Sequence, residues 1–589
     1  MNSGPGAIPD KDRAQEDRPL RIAINQVEYS NTPGGPLIHV FGRDPARNAV
    51  HLKVTGFLPY FYVPADEMEG KVAPPQATVD TGRVYPSIHG VPLRRLYTTR
   101  PTDVRELRDR FHRHYEADIP FATRFMIDCG LTGGVAAPGD EAAYTDLSPA
   151  TVDAPARVCI MDIECEDERG FPEPGRDAII CIGCWDSFDD RYTTFLWHAG
   201  PPPDFCAPKA AGGLANGCFS EDRHTICVYA TEAEMIRGLA EYFRTTDPDI
   251  VSGWNFADFD MPYLTRRMEV LGLSPTSLSR MEGQTERTAI RGRALFDLLQ
   301  AYRRMQGVQA ESYRLDAVAE AELGDKKVRF SGRMSDLWRE QPALLVEYNF
   351  KDVELCVAID EKNRIIEFFR EIARYVGCPL DRTLNSSNVI DIFILRKASG
   401  KFVLPSKGFA AGEEFEGATV FDPSRGVKSN VIVMDLKSLY PMAMMTINAS
   451  PETKDAAGEY RAPNGIRFRA APDGLTRSII SELLRERDEK KSQRNRFPFG
   501  SPEYILYDTQ QNVLKVIMNT YYGVSGYARF RLYDRDIGAA VTSVGRAIIE
   551  HTRTEIERNG YHVLYGDTDS CMIELPETGL AGTIATARD

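Results

Sequence analysis

The segment Val563-Leu564-Tyr565-Gly566-Asp567-Thr568-Asp569-Ser570-Cys571-Met572-Ile573 predicts two apolar strands joined by a tip of glycine and aspartate. A hairpin turn by itself favours Gly and Asp. One such residue suffices for a turn, however, and here the acids lie against apolar strands on both sides. A comparable strand lies upstream: Asn430-Val431-Ile432-Val433-Met434-Asp435 ends on a carboxylate and turns, through Leu436-Lys437-Ser438-Leu439-Tyr440-Pro441, into a helix.

Between these strands lie two helical segments, separated by Asn495 to Pro502 with Pro498 and Pro502 as breakers, which predict an antiparallel helical hairpin. In the first, Arg487, Lys491 and Arg494 recur at helical spacing and make one basic face, a pattern that usually means a solvated charge stripe. In the second, Lys515, Asn519 and Tyr522 share a face that mixes cation, amide and aromatic ring. Such a face suits a triphosphate and a base pair, because the cation neutralises phosphate, the amide makes a polar contact and the ring packs against bases.

Nearer the N-terminus, Val158-Cys159-Ile160-Met161-Asp162-Ile163-Glu164-Cys165 predicts a buried strand whose period of two puts Asp162 and Glu164 on one face. Unpaired buried charge is costly, so these acids call for either salt bridges or a bound divalent cation. The segment Trp254-Asn255-Phe256-Ala257-Asp258-Phe259-Asp260 follows a strand and opens an amphipathic helix, where Asn or Asp also serves as a simple cap. In Tyr348-Asn349-Phe350-Lys351-Asp352 the helical spacing of four places the Tyr348 hydroxyl and the Asp352 carboxylate on one face. Each admits a structural reading alone; in this order they form a set.

A chain of 589 residues is too long for one hydrophobic core, and about 100–200 residues per domain implies several domains. No apolar run reaches eighteen residues, so no membrane span is expected, and the polar stretch Met1 to Arg18 lacks the apolar core of a secretory signal. The expected compartment is the cytoplasm. The eleven cysteines lie in apolar strands or apart from any zinc-ribbon spacing, and are expected to be buried, reduced thiols. A net charge of −14 argues against a uniformly basic nucleic-acid surface. It is compatible with acids gathered for metal ions and separate basic runs, such as Arg485 to Arg496, for phosphate.

The layout is multidomain, α/β and α+β. Residues 1–20 read as a disordered lead and 21–155 as an N-terminal α+β domain, closed by the Ala/Gly/Pro-rich stretch Gly133 to Pro155. In 156–360 strands alternate with helices, with a Pro/Gly-rich surface insertion from Ala199 to Gly217.

Taken together, these motifs resemble those of archaeal-type family B DNA polymerases. Asp-x-Glu at 162–164, Asn-x-x-x-Phe-Asp at 255–260 and Tyr-x-x-x-Asp at 348–352 are similar to the three exonuclease motifs of proofreading members. The strand ending on Asp435 and the Tyr-Gly-Asp-Thr-Asp-Ser tip resemble the two acidic synthesis motifs, and Lys515 to Gly523 resembles the fingers motif, with Thr520 in place of the usual Ser. The resemblance implies an RNase H-like 3′–5′ exonuclease domain over 156–360, linker helices and the first part of the palm over 361–475, fingers over 476–524 and a second, truncated part of the palm over 525–589.

It also implies roles. Asp162, Glu164, Asp260 and Asp352 would hold two Mg²⁺ ions, with Tyr348 orienting the attacking water and Asn255 near DNA. Asp435 and Asp567 would bind two further Mg²⁺ ions, Mn²⁺ being able to substitute, with Asp569 in support. Ser438, Leu439, Arg487, Lys491, Lys515, Asn519 and Tyr522 would surround the incoming dNTP, and Tyr440 would exclude a ribose 2′-hydroxyl. Phe415 to Val420, containing Gly417, is similar to the linker that partitions primer between synthesis and editing, with Phe and Ala replacing its Tyr and one Gly. Thr542, Gly545 and Arg546 match a palm element that contacts template. Pro59, Tyr60 and Val104 align with the walls of the archaeal template-uracil pocket.

The implied activity is template-directed DNA synthesis with 3′–5′ proofreading on primer-template DNA and dNTPs, with a sliding clamp as a further partner. Only twenty residues follow Asp569, so the thumb is expected to be absent. A second polypeptide carrying it would then be needed for full synthesis, and the chain alone is expected to bind primer-template weakly. A nuclease that had lost synthesis would not require Asp435, Asp567, Lys515 and Tyr440. A non-catalytic scaffold would not require the seven carboxylates.

Overall fold

The computed structural model describes residues 19–68, 75–199, 218–283, 290–306, 309–408, 416–576, 582, 584 and 585. Most of the lead, nearly all of the Ala199 to Gly217 insertion, and Phe415 therefore lie outside the described residues. The chain divides into two compact units, the first comprising Met1–Leu58 and Pro120–Asn385, the second Pro59–Ile119 and Ser386–Asp589. The segment 21–155 is thus shared between the two.

The first unit contains two sheets. The six-stranded one is centred on the strands Leu20–Thr32, Gly35–Arg43 and Ala49–Thr55. The seven-stranded one is mixed: Val158–Cys165 pairs antiparallel with Ile179–Asp186 and parallel with Ile250–Gly253, which in turn runs parallel to Ala294–Asp297. All eight residues of Ile179–Asp186 are buried, because helices cover both faces of the sheet at this strand. Ile179, Ile182 and Cys184 face a core completed by the helices Glu232–Thr246 and Asp260–Val270. Ile180 and Cys181 face Leu337, Leu345 and Val346 of the helices Met334–Glu340 and Pro342–Asn363. Thr231 caps the Glu232–Thr246 helix, accepting from the Glu234 N–H.

In the second unit a four-stranded sheet has the order Val420–Phe421, His562–Asp567, Ser570–Glu574, Val431–Asp435. The helix Arg535–Arg558 packs on it through Ile549. The helices Leu475–Arg494 and Pro502–Ser525 form the expected hairpin; Ser501 caps the second, and Pro502 occupies its first turn, where a missing N–H costs nothing. Residues 59–119 join this unit through specific contacts. Backbone bridges link Ser87 to Val403 and Tyr115 to Pro405, and the fully enclosed Arg531 guanidinium pairs with Asp118 and Asp391, each at 2.8 Å.

One expectation about cysteine fails. Cys218 and Cys227 form a disulfide, because antiparallel pairing of Cys218–Glu221 with His224–Tyr229 sets them directly opposite each other. The other eight described cysteines are not disulfide-bonded, and seven of them are buried. Among the described residues no helix is long and apolar enough to cross a membrane.

Two candidate active sites

Alternation along Val158–Cys165 sends Cys159, Met161, Ile163 and Cys165 into the core and leaves Asp162 and Glu164 on the opposite face. The helix Pro342–Asn363 packs across that face and delivers Asp352, so that ligand oxygens of Asp162, Glu164 and Asp352 lie within 4.8 Å of one another. Asp260, at the first turn of its helix, is buried and accepts the Ile163 N–H at 3.2 Å. It adjoins this group without entering it.

Three like charges this close raise one another's cost of ionisation. Burial, followed by repulsion from Asp352, pushes the Asp162 carboxyl up to about 7. Glu164 is raised well above the usual range by burial and by Asp162, and Asp260 likewise. The Asp352 carboxyl is raised by burial against the opposing pull of Lys327. The donors are all oxygen, and Asp352 Oδ1 is buried without a hydrogen-bond partner. That set fits a hard divalent cation.

Two contributors here escaped sequence reasoning. Lys327 forms an ion pair with Asp352 Oδ2 and lies 5.5 Å from the centre of the Tyr348 ring. It precedes the motif by more than twenty residues, in a stretch without periodicity. Asn349 donates through Nδ2 to Asp162 Oδ2 at 2.9 Å, and its only signal was an amide on the helix face that buries Leu345, Val346, Asp352 and Val353. Burial pushes the Tyr348 hydroxyl up to about 12, so it stays a proton donor at neutral pH. Asn255 sits in the turn before Asp260 with φ +63°, a conformation that Asn tolerates.

The second group lies in the other unit. Asp435 and Asp567 both pair with Ser570 in register, one from each neighbouring strand, so one strand separates them. Asp569 follows in the turn, and its carboxyl is raised by burial, then by Asp435 and Asp567. Among the described residues these three do not form a second group as close as the first. Thr568 donates to Asp567 Oδ1 at 2.8 Å and the Tyr565 hydroxyl to Oδ2 at 3.4 Å.

Ser438 adopts φ +55° and starts the helix Leu439–Thr446, in which Leu439 is buried and offers only its backbone. The Tyr440 ring stacks on Tyr522 with centroids 3.9 Å apart. Gly545 permits this arrangement, since a Cβ there would stand 2.9 Å from Tyr440 Cε1. Lys515 and Asn519 are exposed on the hairpin. Burial, then Arg487 and Lys437, lowers the Lys491 ammonium, and burial lowers Arg487; that crowding of cations has no full counter-charge. Thr542 donates to the Glu416 carbonyl at 3.0 Å, and Arg546 to the Gly417 carbonyl at 2.6 Å, so both hold the linker. Tyr60 is buried with the Arg95 guanidinium 4.7 Å over its ring, next to Pro59, whose carbonyl accepts from Thr98. Val104 packs against Phe61, Val63, Leu96 and Leu107.

Residues 379–589 match the model of DNA polymerase family B, and residues 112–318 that of its exonuclease domain. Over 94% of its length the chain is 29% identical to DNA polymerase 1 of Pyrococcus abyssi and 28% identical to DNA polymerase 2 of Aeropyrum pernix, covering 71% and 72% of those proteins. The solved family B DNA polymerase of the hyperthermophilic archaeon Pyrobaculum calidifontis superposes with a TM-score of 0.79 at 27% identity, over 97% of this chain and 76% of that one.

Proposed function

The chain belongs to DNA polymerase family B, and from that premise we propose that it extends primers on a DNA template at Asp435, Asp567 and Asp569 and edits them at Asp162, Glu164, Asp260 and Asp352. The observation that carries this reading is the convergence of Asp162, Glu164 and Asp352, from a strand and a distant helix, on one point. Each carboxylate group would hold Mg²⁺, which when bound neutralises phosphate charge and acidifies the attacking hydroxyl or water.

In synthesis the primer 3′-oxygen bonds to the α-phosphorus of a dNTP as the bond to the β-phosphate breaks and pyrophosphate leaves. Arg487, Lys491 and Lys515 bind the triphosphate, Asn519 and Tyr522 face the nascent pair, and Tyr440 fills the space a 2′-hydroxyl would need. Ser438 and Leu439 present backbone to the phosphates. In editing, water attacks the terminal phosphodiester and frees a nucleoside monophosphate; Tyr348, still protonated, orients that water, and Asn349 fixes Asp162. We assign the exonuclease domain to 156–360, the hairpin fingers to 476–524, and the palm to segments within 361–475 and 525–589.

The test is primer extension and primer degradation with Mg²⁺ on a recessed primer-template. Asp567→Ala should abolish extension and keep degradation; Glu164→Ala should do the reverse. Loss of both activities in both variants, or of neither, would sink the assignment. Pro59, Tyr60 and Val104 are assigned to reading the template ahead of synthesis, and equal copying of uracil and thymine templates would remove that role.

A further inference from the structure

The strand Leu20–Thr32 breaks register against its neighbour between Ile24 and Gln26, and a narrow pocket opens there within the first unit. It shares no lining residue with the Asp162 group, and its polar walls are Asn25, Gln26, Thr132, Arg370 and Arg374. The two arginines are one turn apart on the helix Ile365–Val376, which brings both guanidinium groups to the same side. The register break at Asn25 buries its Nδ2 with no acceptor.

Charge balance in the pocket is one-sided. No carboxylate lines it. Arg374 is paired with Glu371 at 3.2 Å, but Arg370 makes no hydrogen bond or ion pair with any described residue. The acid that most favours its charged form is Asp249. That carboxylate is already engaged by Arg43 and Arg280 and by the Arg157 N–H at 2.7 Å. Burial, reinforced by Arg374, draws the Arg370 guanidinium down to about 10. A buried amide donor without an acceptor is costly, and an oxyanion would satisfy it together with the two guanidinium groups.

We propose that this pocket binds a phosphate-type oxyanion between Arg370, Arg374 and the Asn25 amide. Its cavity volume is about 30 Å³, which suits a few waters or one small oxyanion rather than a whole nucleotide. The phosphate is therefore either a free ion or the terminal phosphate of a nucleic acid whose sugar and base remain outside.

The test uses the full chain carrying Lys491→Ala and Lys515→Ala, which weaken the competing phosphate contacts on the hairpin. Thermal unfolding is followed against inorganic phosphate in metal-free buffer, at constant ionic strength set with chloride. Phosphate should raise the midpoint saturably. Arg370→Met should lose the phosphate response. Asn25→Leu should keep a response with affinity lowered by about tenfold. No phosphate response in the parent chain, or an equal response in Arg370→Met, would overturn the proposal. If Arg370→Met does not fold, an unchanged affinity in Asn25→Leu overturns it. Tighter binding of a 5′-phosphorylated dinucleotide than of inorganic phosphate assigns the site to nucleic acid, and equal binding assigns it to the free ion.

Discussion

Lys327 and Asn349 each engage a carboxylate of the Asp162, Glu164 and Asp352 group, and the balance between them and the acids sets how that group responds to pH. The Asp162 carboxyl is raised from 3.8 to about 7, so the folded, metal-free chain binds more protons than the unfolded one between those values. The contribution of Asp162 to stability then falls as pH rises from about 4 to about 7, while His39 and His224, both lowered to about 4 by burial, contribute the opposite slope below the ordinary histidine value. In chelator, the melting temperature of the parent chain should fall relative to that of Asp162→Asn across that window; identical slopes would contradict the assignment. Added Mg²⁺ should flatten that relative decline, since a bound cation replaces the missing counter-charge. At the other site Gly545 leaves room for Tyr440, whose ring is also stacked on Tyr522. Gly545→Ala should therefore displace the Tyr440 ring and lower discrimination between dNTP and rNTP by about tenfold, the scale of a methyl-sized misfit. Unchanged discrimination in single-turnover incorporation would show that the contact does not position the ring.

The helix Pro342–Asn363 reaches the sheet because Gly183 lacks a side chain: a Cβ there would lie 2.4 Å from Asn349 Oδ1 and 2.9 Å from Val353 Cγ2. Gly183→Ala should lift the helix, move Asp352 and Asn349 away from Asp162, and reduce exonuclease turnover by about a hundredfold, as displacements near 1 Å do. Extension by the same variant should be preserved; a nuclease at parental rate would mean that the helix absorbs the added carbon elsewhere. The hairpin Leu475–Arg494 and Pro502–Ser525 was legible from its two prolines and its 3.6-residue spacing. The approach at Gly183 was not legible, because nothing in a strand whose residues are all buried marks which glycine meets a helix more than 160 residues away.

At the scale of the molecule, Arg531 ties residues 59–119 to the unit that carries Asp435 and Asp567. Its side chain is fully enclosed between Asp118 and Asp391, and burial of one partner without the other is strongly unfavourable. Arg531→Met should destabilise that unit by about 3–5 kcal/mol, partly offset because Asp391 keeps Lys407 at 2.9 Å. In urea, loss of primer extension should move to lower concentration while loss of degradation keeps its midpoint; a joint shift would show that the two units unfold as one. From sequence alone came the strand and helix types around each acidic motif, the pairing of Asp162 with Glu164 and of Tyr348 with Asp352, and the family resemblance. These rest on local periodicity, which the chain carries within a few residues. Tertiary structure alone decided that Lys327 neutralises Asp352, that Cys218 meets Cys227, that Tyr440 lies on Tyr522, and that 59–119 belongs with 386–589. Each of these joins residues through sheet register or helix packing, and a burial-driven contact leaves no mark on the spacing of the residues that make it.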